Sequence, residues 1–179
     1  MKGVVFDLLE RLVIREHGED AWDDILVDAG VAGGWTTIGT YPHEELSAIA
    51  GAAARRFGIE SPDVIRWFGR EAIPEFAAAY PELFSRHAST CSFVLSLNDI
   101  IHPEVNKLYP GADLPVFDYE RPADDVVRMS YSSPRRLCAL AEGLIEGTAA
   151  HYGEQVAQRQ VECVHRGDAR CLFELEFAG

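Results

Sequence analysis

Two groups of residues in this 179-residue chain have types and spacing that could do chemistry. The first centres on His102, within Asn98-Asp99-Ile100-Ile101-His102-Pro103-Glu104-Val105. A neutral imidazole is the form that binds metal. Ile100, Ile101 and Val105 make its surroundings apolar, and no second histidine accompanies it at a metal-binding spacing. A metal held here takes one ligand from the protein and fills its other positions elsewhere. The ordinary alternative is a structural histidine on a helix.

The second group is Tyr131-x-Ser133-x-Arg135. In an extended segment, residues two apart point to one side, and Pro134 biases Ser133 towards extended geometry. Two hydroxyls and a guanidinium then converge on one anion, and a guanidinium fork suits carboxylates. Alternatively, Ser133 caps a following helix and Arg135 lies on its surface. Taken singly, each group suits its ordinary reading. Together they match one cofactor, because haem offers an iron for a single axial histidine and two propionates for such a fork.

The elements that position these groups can be read from apolar periodicity and breaker residues. Residues 2–17 form an amphipathic helix, with Val4, Val5, Leu8, Leu9, Leu12 and Val13 making a stripe at the helical period. Helices over residues 19–29 and 43–57 follow, with Gly58 ending the second. Ser61-Pro62-Asp63 reads as a helix start with Ser61 as cap, and Pro74 is expected to kink or break that helix. Residues 91–109 read as helical, with a kink or restart at Pro103 immediately after His102. Residues 116–119 and 126–131 read as strands joined by a turn at residues 121–125. A helix from Pro134 to about Tyr152 comes next. Strands at residues 155–164 and 171–177 close the chain, joined by an Arg166-Gly167-Asp168 hairpin loop. The expected class is α+β: helices first, then a four-stranded antiparallel sheet with one long helix.

His102-Pro103-Glu104-Val105-Asn106-Lys107-Leu108-Tyr109-Pro110, then Pro115, then Tyr131-x-Ser133-x-Arg135, resembles the haem nitric oxide/oxygen-binding (H-NOX) family. The opening Met1-Lys2-Gly3-Val4-Val5-Phe6 and residues 131–147 resemble it too, so the likeness covers essentially the whole chain. It implies one domain over residues 1–179, with a helical distal lobe (1–60), a proximal lobe carrying the sheet (61–179), and haem b between them. It implies that His102 is the iron ligand, that Tyr131, Ser133 and Arg135 hold the propionates, and that Pro115 presses on the macrocycle. Val5, Leu9, Leu140 and Leu144 are the implied distal contacts. Family members that bind oxygen stably carry a tyrosine where this chain has Leu140, and Leu9 supplies no indole donor. The expected ligands are therefore nitric oxide and carbon monoxide, with oxygen excluded.

The implied role is a sensor without catalytic activity. Its iron–His102 bond weakens or breaks when nitric oxide binds. Its output passes in trans to a histidine kinase or a cyclic-di-GMP enzyme. Bacterial relatives often add a zinc site from three cysteines, matched here by Cys138, Cys163 and Cys171, and a histidine whose position is Gln160 in this chain. His165, two residues from Cys163, is the substitute ligand expected from a strand. The alternative function is a thiol- or zinc-based redox sensor with haem secondary. A haem enzyme is a third class, disfavoured because the helices assigned to the distal side offer no acid–base residue.

Composition bounds these readings. A net charge of −13 argues against a nucleic-acid groove or an anionic membrane surface, since both need a positive field. No run approaches the ~20 apolar residues that cross a bilayer. Lys2, Asp7, Glu10 and Arg11 interrupt any signal-peptide core. The expected location is cytoplasmic, where four cysteines stay reduced.

Overall fold

The computed structural model describes residues 1–178. Three helices open the chain: α1 (Gly3–His17), α2 (Glu19–Ala29) and α3 (Glu44–Phe57). Phe6, Leu12, Ile25, Leu46 and Ile49 are buried among them. Gly3 starts α1 against the loop before α3, where a Cβ would stand 1.9 Å from the Thr36 carbonyl oxygen.

The next helix, α4 (Ser61–Ala79), belongs to two cores. Val64, Phe68 and Ala72 pack with α1–α3, while Ile73 packs with Phe84, Phe93 and Ile101. Ser61 is its first helical residue and not its cap. Glu60 takes that place without a side-chain bond, and Pro62 occupies the first turn. Pro74 does not break α4. The carbonyl that its missing N–H leaves free is that of Arg70, and a Cβ on Gly147 would sit 2.5 Å from that oxygen. Close packing on the neighbouring helix keeps α4 continuous.

That neighbour is the eighth helix, α8 (Cys138–Tyr152), reached after α5 (Pro81–Ser85), α6 (Thr90–Leu95), α7 (His102–Leu108) and strands β1 (Val116–Ala123) and β2 (Val126–Ser132). The approach of α4 to α8 is made through glycines. A Cβ on Gly143 would stand 1.9 Å from the Arg66 carbonyl oxygen, and one on Gly69 2.6 Å from that of Leu140. Arg66 then bonds Glu146 across the contact. This crossing fixes where α8 presents Leu140 and Leu144.

The chain ends with β3 (Val156–Glu162) and β4 (Cys171–Phe177), and the sheet order is β1-β2-β4-β3, all antiparallel. Val127, Met129 and Tyr131 on β2 and Cys171, Phe173 and Leu175 on β4 make one buried face with Cys138, Ala141 and Ile145 of α8. The α+β class with a four-stranded antiparallel sheet is the one read from the sequence.

Several boundaries differ. β1 runs on to Ala123, with an irregularity between Glu120 and Ala123. It tolerates Pro122 because it is an edge strand. Helix α8 starts at Cys138 and not at Pro134. Residues 133–137 are a loop in which Arg136 adopts φ +53°, a conformation uncommon outside glycine that turns the chain from the sheet into the helix. β3 stops at Glu162, and a 3₁₀ turn at Val164–Arg166 replaces part of the expected strand and hairpin.

Candidate functional site

The helical segment expected over residues 91–109 is three pieces. The α6 helix begins in a capping box in which Ser89 and Ser92 exchange bonds. It gives way to a π-helical turn, Leu97–Ile101, and α7 restarts at His102 with Pro103 in its first turn. Proline is tolerated there because first-turn N–H groups lack intrahelical partners. Helix α7 is seven residues long, and none of its residues is buried.

Asn98, in the π-helical turn, ties this segment to the sheet. Its side-chain nitrogen donates to the Phe117 carbonyl at 2.5 Å, and its oxygen accepts the Phe117 N–H at 3.2 Å. The edge strand β1 thereby finds partners for groups that face away from β2. Asn98→Ala should lower stability by about 1–2 kcal/mol, since two backbone groups lose partners. The midpoint of a urea melt measures this.

Phe117 places its ring 5.8 Å from that of His102 and 5.8 Å from that of Tyr131. His102, Pro115, Tyr131 and Arg135 share the wall of one cavity of about 300 Å³ with Val5, Leu140 and Leu144. The wall is overwhelmingly apolar, drawing on α1, α4, α7, α8 and the sheet. Burial and then the nearby Arg135 charge hold the His102 pKa down to about 4, so its imidazole is neutral at physiological pH.

Arg135 is not a surface residue. Its side chain is 13% exposed, and its Nε is buried without a hydrogen-bond partner. One terminal nitrogen bonds the Asp113 carbonyl oxygen. The nearest carboxylate oxygen, of Asp113, is 3.9 Å from that Nε, so the guanidinium N–H still has room to donate to an anion in the cavity. The Tyr131 hydroxyl accepts the Leu137 N–H at 3.1 Å. Ser133 is not in the wall: its hydroxyl accepts the Arg135 N–H at 3.2 Å and shapes the loop that aims Arg135. Leu9 is not in the wall either. It is 2% exposed and packs in the core of α1–α4, one turn along α1 from Val5, which does reach the cavity.

Sequence reasoning missed Ala72 and Phe76 of α4, which line the cavity at helical spacing. It also missed the Tyr80–Tyr109 hydroxyl pair at 2.5 Å. The four-residue spacing of Phe68, Ala72 and Phe76 was the available signal for the former. The tyrosine pair had none, because the two residues are 29 apart. On α8 the Thr148 hydroxyl is committed to the Leu144 carbonyl at 2.7 Å, and Leu140 and Leu144 are among the apolar side chains that this helix presents to the cavity.

Away from the cavity, the sulfurs of Cys138, Cys163 and Cys171 lie within 4.8 Å of one another, and all three residues are buried. His165 does not join them. It lies in the 3₁₀ turn, not on a strand face shared with Cys163, and its Nε2 is 2.8 Å from the Arg136 carbonyl oxygen.

A neutral imidazole, a guanidinium N–H without a hydrogen-bond partner and an apolar wall around one cavity suit an apolar group that carries negative charge and a metal able to take one protein ligand. That description fits a haem-binding sensor domain. A family model described as haem-NO-binding matches residues 2–160. An H-NOX protein from S. oneidensis in the Fe(II)NO state is 30% identical and superposes with a TM-score of 0.93 over 100% of both chains. The H-NOX domain from Shewanella oneidensis in the Fe(II)CO state is also 30% identical, with a TM-score of 0.89 over 100% of this chain and 99% of that one. The unliganded Fe(II) H-NOX protein from K. algicida, at 23% identity and a TM-score of 0.88 over 100% of this chain and 97% of that one, shares the fold. The chain belongs to the haem-NO-binding (H-NOX) family, whose members are haem-based gas-sensor domains. Among the described residues, no helix is long and apolar enough to cross a membrane.

Proposed function

We propose that this chain is a non-catalytic sensor of nitric oxide that also binds carbon monoxide and excludes oxygen. The observation that carries the reading is the apolar wall of Val5, Leu140 and Leu144 in the same cavity as His102. Haem b, when bound, supplies a ferrous iron for the gas. His102 is the proposed axial ligand. Arg135 and Tyr131 hold propionate oxygens, with Ser133 positioning Arg135, and Pro115 packs on the macrocycle. Bound oxygen draws negative charge and needs a hydrogen-bond donor, which this wall does not offer it on α8. Nitric oxide binds ferrous haem tightly without one. Residues 1–60 and 61–179 serve as distal and proximal lobes in this proposal.

Absorption spectra of the reduced protein under nitric oxide, carbon monoxide and air test the reading. Nitrosyl and carbonyl complexes are expected, and a stable oxy complex in air would overturn it. Leu140→Tyr is expected to create such a complex by adding a donor, since hydroxyl donors discriminate strongly between ligands that need them and ligands that do not. A variant that still fails to hold oxygen would show that this side chain does not control ligand choice.

The signalling element is α7. With no buried residue of its own and a π-helical turn before it, α7 moves at low cost once His102 is released. Two states of α7, biased by the gas, are what a partner reads. A histidine kinase or a cyclic-di-GMP enzyme in trans is that partner, carried over from the family resemblance. A cytoplasmic location accompanies this reading and suits the free thiols. Burial raises the thiol pKa of Cys138 and pushes that of Cys171 up to about 12. Such thiols stay protonated and are poor nucleophiles, which favours gas sensing over a thiol redox switch.

A further inference from the structure

Two helices end in the same dipeptide, α4 at Tyr80-Pro81 and α7 at Tyr109-Pro110. Proline disfavours the helical conformation in the residue before it. Both tyrosines leave the helix alike, Tyr80 at φ −132°, ψ 58° and Tyr109 at φ −128°, ψ 76°. Each is tied on both sides. The Tyr80 N–H donates to the Phe76 carbonyl at 2.8 Å, and the Tyr80 carbonyl accepts the Leu83 N–H at 3.0 Å. The Tyr109 N–H donates to the Val105 carbonyl at 2.8 Å, and the Tyr109 carbonyl accepts the Ala112 N–H at 3.0 Å. These two fixed mounts bring the hydroxyls to 2.5 Å from each other, and both residues line the cavity.

The bond matters because α7 has few other anchors. None of its residues is buried. Val105 packs against the cluster of Ile73, Phe84, Phe93 and Ile101, and the Lys107–Glu104 pair stays within the helix. Among the described residues, the Tyr109 hydroxyl makes the one side-chain hydrogen bond from α7 or its cap to another element. His102 opens the helix and Tyr109 follows its last residue. In the gas-sensor reading, on which this inference rests, the iron holds the first end. Tyr80 holds the other, from the cap of the helix that carries Ala72 and Phe76 into the same cavity wall. Burial, then the bond to Tyr80, pushes the Tyr109 pKa up to about 12. Tyr109 therefore keeps its proton at physiological pH, and the bond persists there.

We infer that Tyr80 and Tyr109 are positioning residues of the gas response: their hydroxyl pair clasps the far end of α7 to α4 and restrains the release of His102 from the iron. With the clasp closed, α7 pivots about Tyr109 when its first end is freed. With the clasp open, both ends move and release meets less resistance. One net hydrogen bond carries a factor of roughly two to ten.

Tyr80→Phe, Tyr109→Phe and the double variant remove the hydroxyls and keep the rings. Each is loaded with haem, reduced and mixed with nitric oxide. Stopped-flow absorption follows conversion of the six-coordinate, histidine-bound nitrosyl to the five-coordinate one. Each single variant is expected to convert roughly two- to tenfold faster than the wild type. The double variant should be no faster than the singles, because both hydroxyls serve one bond. Hydrogen exchange at the amides of residues 106–109 in the gas-free, haem-loaded protein reads the clasp without any ligand. It should quicken by a similar factor in all three variants. Wild-type exchange in all three overturns the inference, and so does a double variant whose effect is the sum of the singles. A wild type that keeps its histidine under nitric oxide sinks the release reading, and the exchange data then judge the clasp by themselves.

Discussion

Replacing His102 with glycine is expected to abolish axial ligation of the haem and, with it, all nitric oxide control over the partner. The imidazole is neutral, with its pKa held near 4 by burial and by Arg135, so it is ready to ligate without first losing a proton. No other residue of α7 is placed to replace it: Pro103, Asn106 and Lys107 are exposed, and Glu104 is engaged by Lys107 at 2.8 Å. The loss should therefore be nearly complete in function while costing little in stability, since the His102 ring is only partly buried. Free imidazole added to the variant should restore a histidine-like absorption spectrum. It should not restore control, because the added ring has no bond to α7. A variant that regulates its partner as the wild type does would remove α7 from the signalling route.

Gly143→Ala is expected to cost substantial stability. Its Cβ would stand 1.9 Å from the Arg66 carbonyl oxygen, 2.8 Å from the carbonyl carbon and 2.9 Å from the Arg70 nitrogen. Those atoms are backbone, so no side-chain rotation relieves the clash and α4 must move away from α8. Overpacking of this kind costs about 3 kcal/mol, which corresponds to a fall of roughly 6–12 °C in melting temperature for a domain of this size. The damage should reach the gas site, because α4 carries Ala72 and Phe76 and α8 carries Leu140 and Leu144 into one cavity wall. Gly51→Ala is the control. It lies within α3, meets only a flexible Arg55 nitrogen at 3.7 Å, and should be neutral or stabilising by up to about 1 kcal/mol through helix propensity. A scanning calorimeter separates the two outcomes. Equal melting temperatures for Gly143→Ala and wild type would contradict the close helix crossing.

Periodicity recovered the elements whose patterns are strong and local. Helices α1, α2 and α3 and strand β4 stand close to where apolar spacing and glycine stops put them, because an amphipathic stripe has one way to be buried. Errors fell where a local signal competed with packing. Pro74 was expected to kink or break α4; the helix is not broken there, and α8 lies against it at Gly147. Pro134 looked like a helix start, yet the chain needs residues 133–137 as a loop to swing Arg135 into the cavity wall. The helix over residues 91–109 was expected to kink or restart at Pro103, and α7 does restart at His102; the division at the π-helical turn before it was not foreseen, because that turn sets Asn98 against β1, a contact between residues 19 positions apart.

The residue types of the site were determined by the sequence alone: a histidine in apolar surroundings, an arginine with tyrosine and serine near it, and leucine at position 140. Chemistry resides in side-chain identity, and identity is local. Which of these residues share one space was decided by tertiary structure. It put Val5 in the cavity wall and Leu9, one turn away, into the helical core. It turned Ser133 from a ligand contact into the support for Arg135, and His165 from a metal ligand into a partner for a backbone carbonyl. Direction and distance between remote elements depend on how helices and strands close-pack, above all on the glycine crossing of α4 and α8, and no spacing along the chain encodes that.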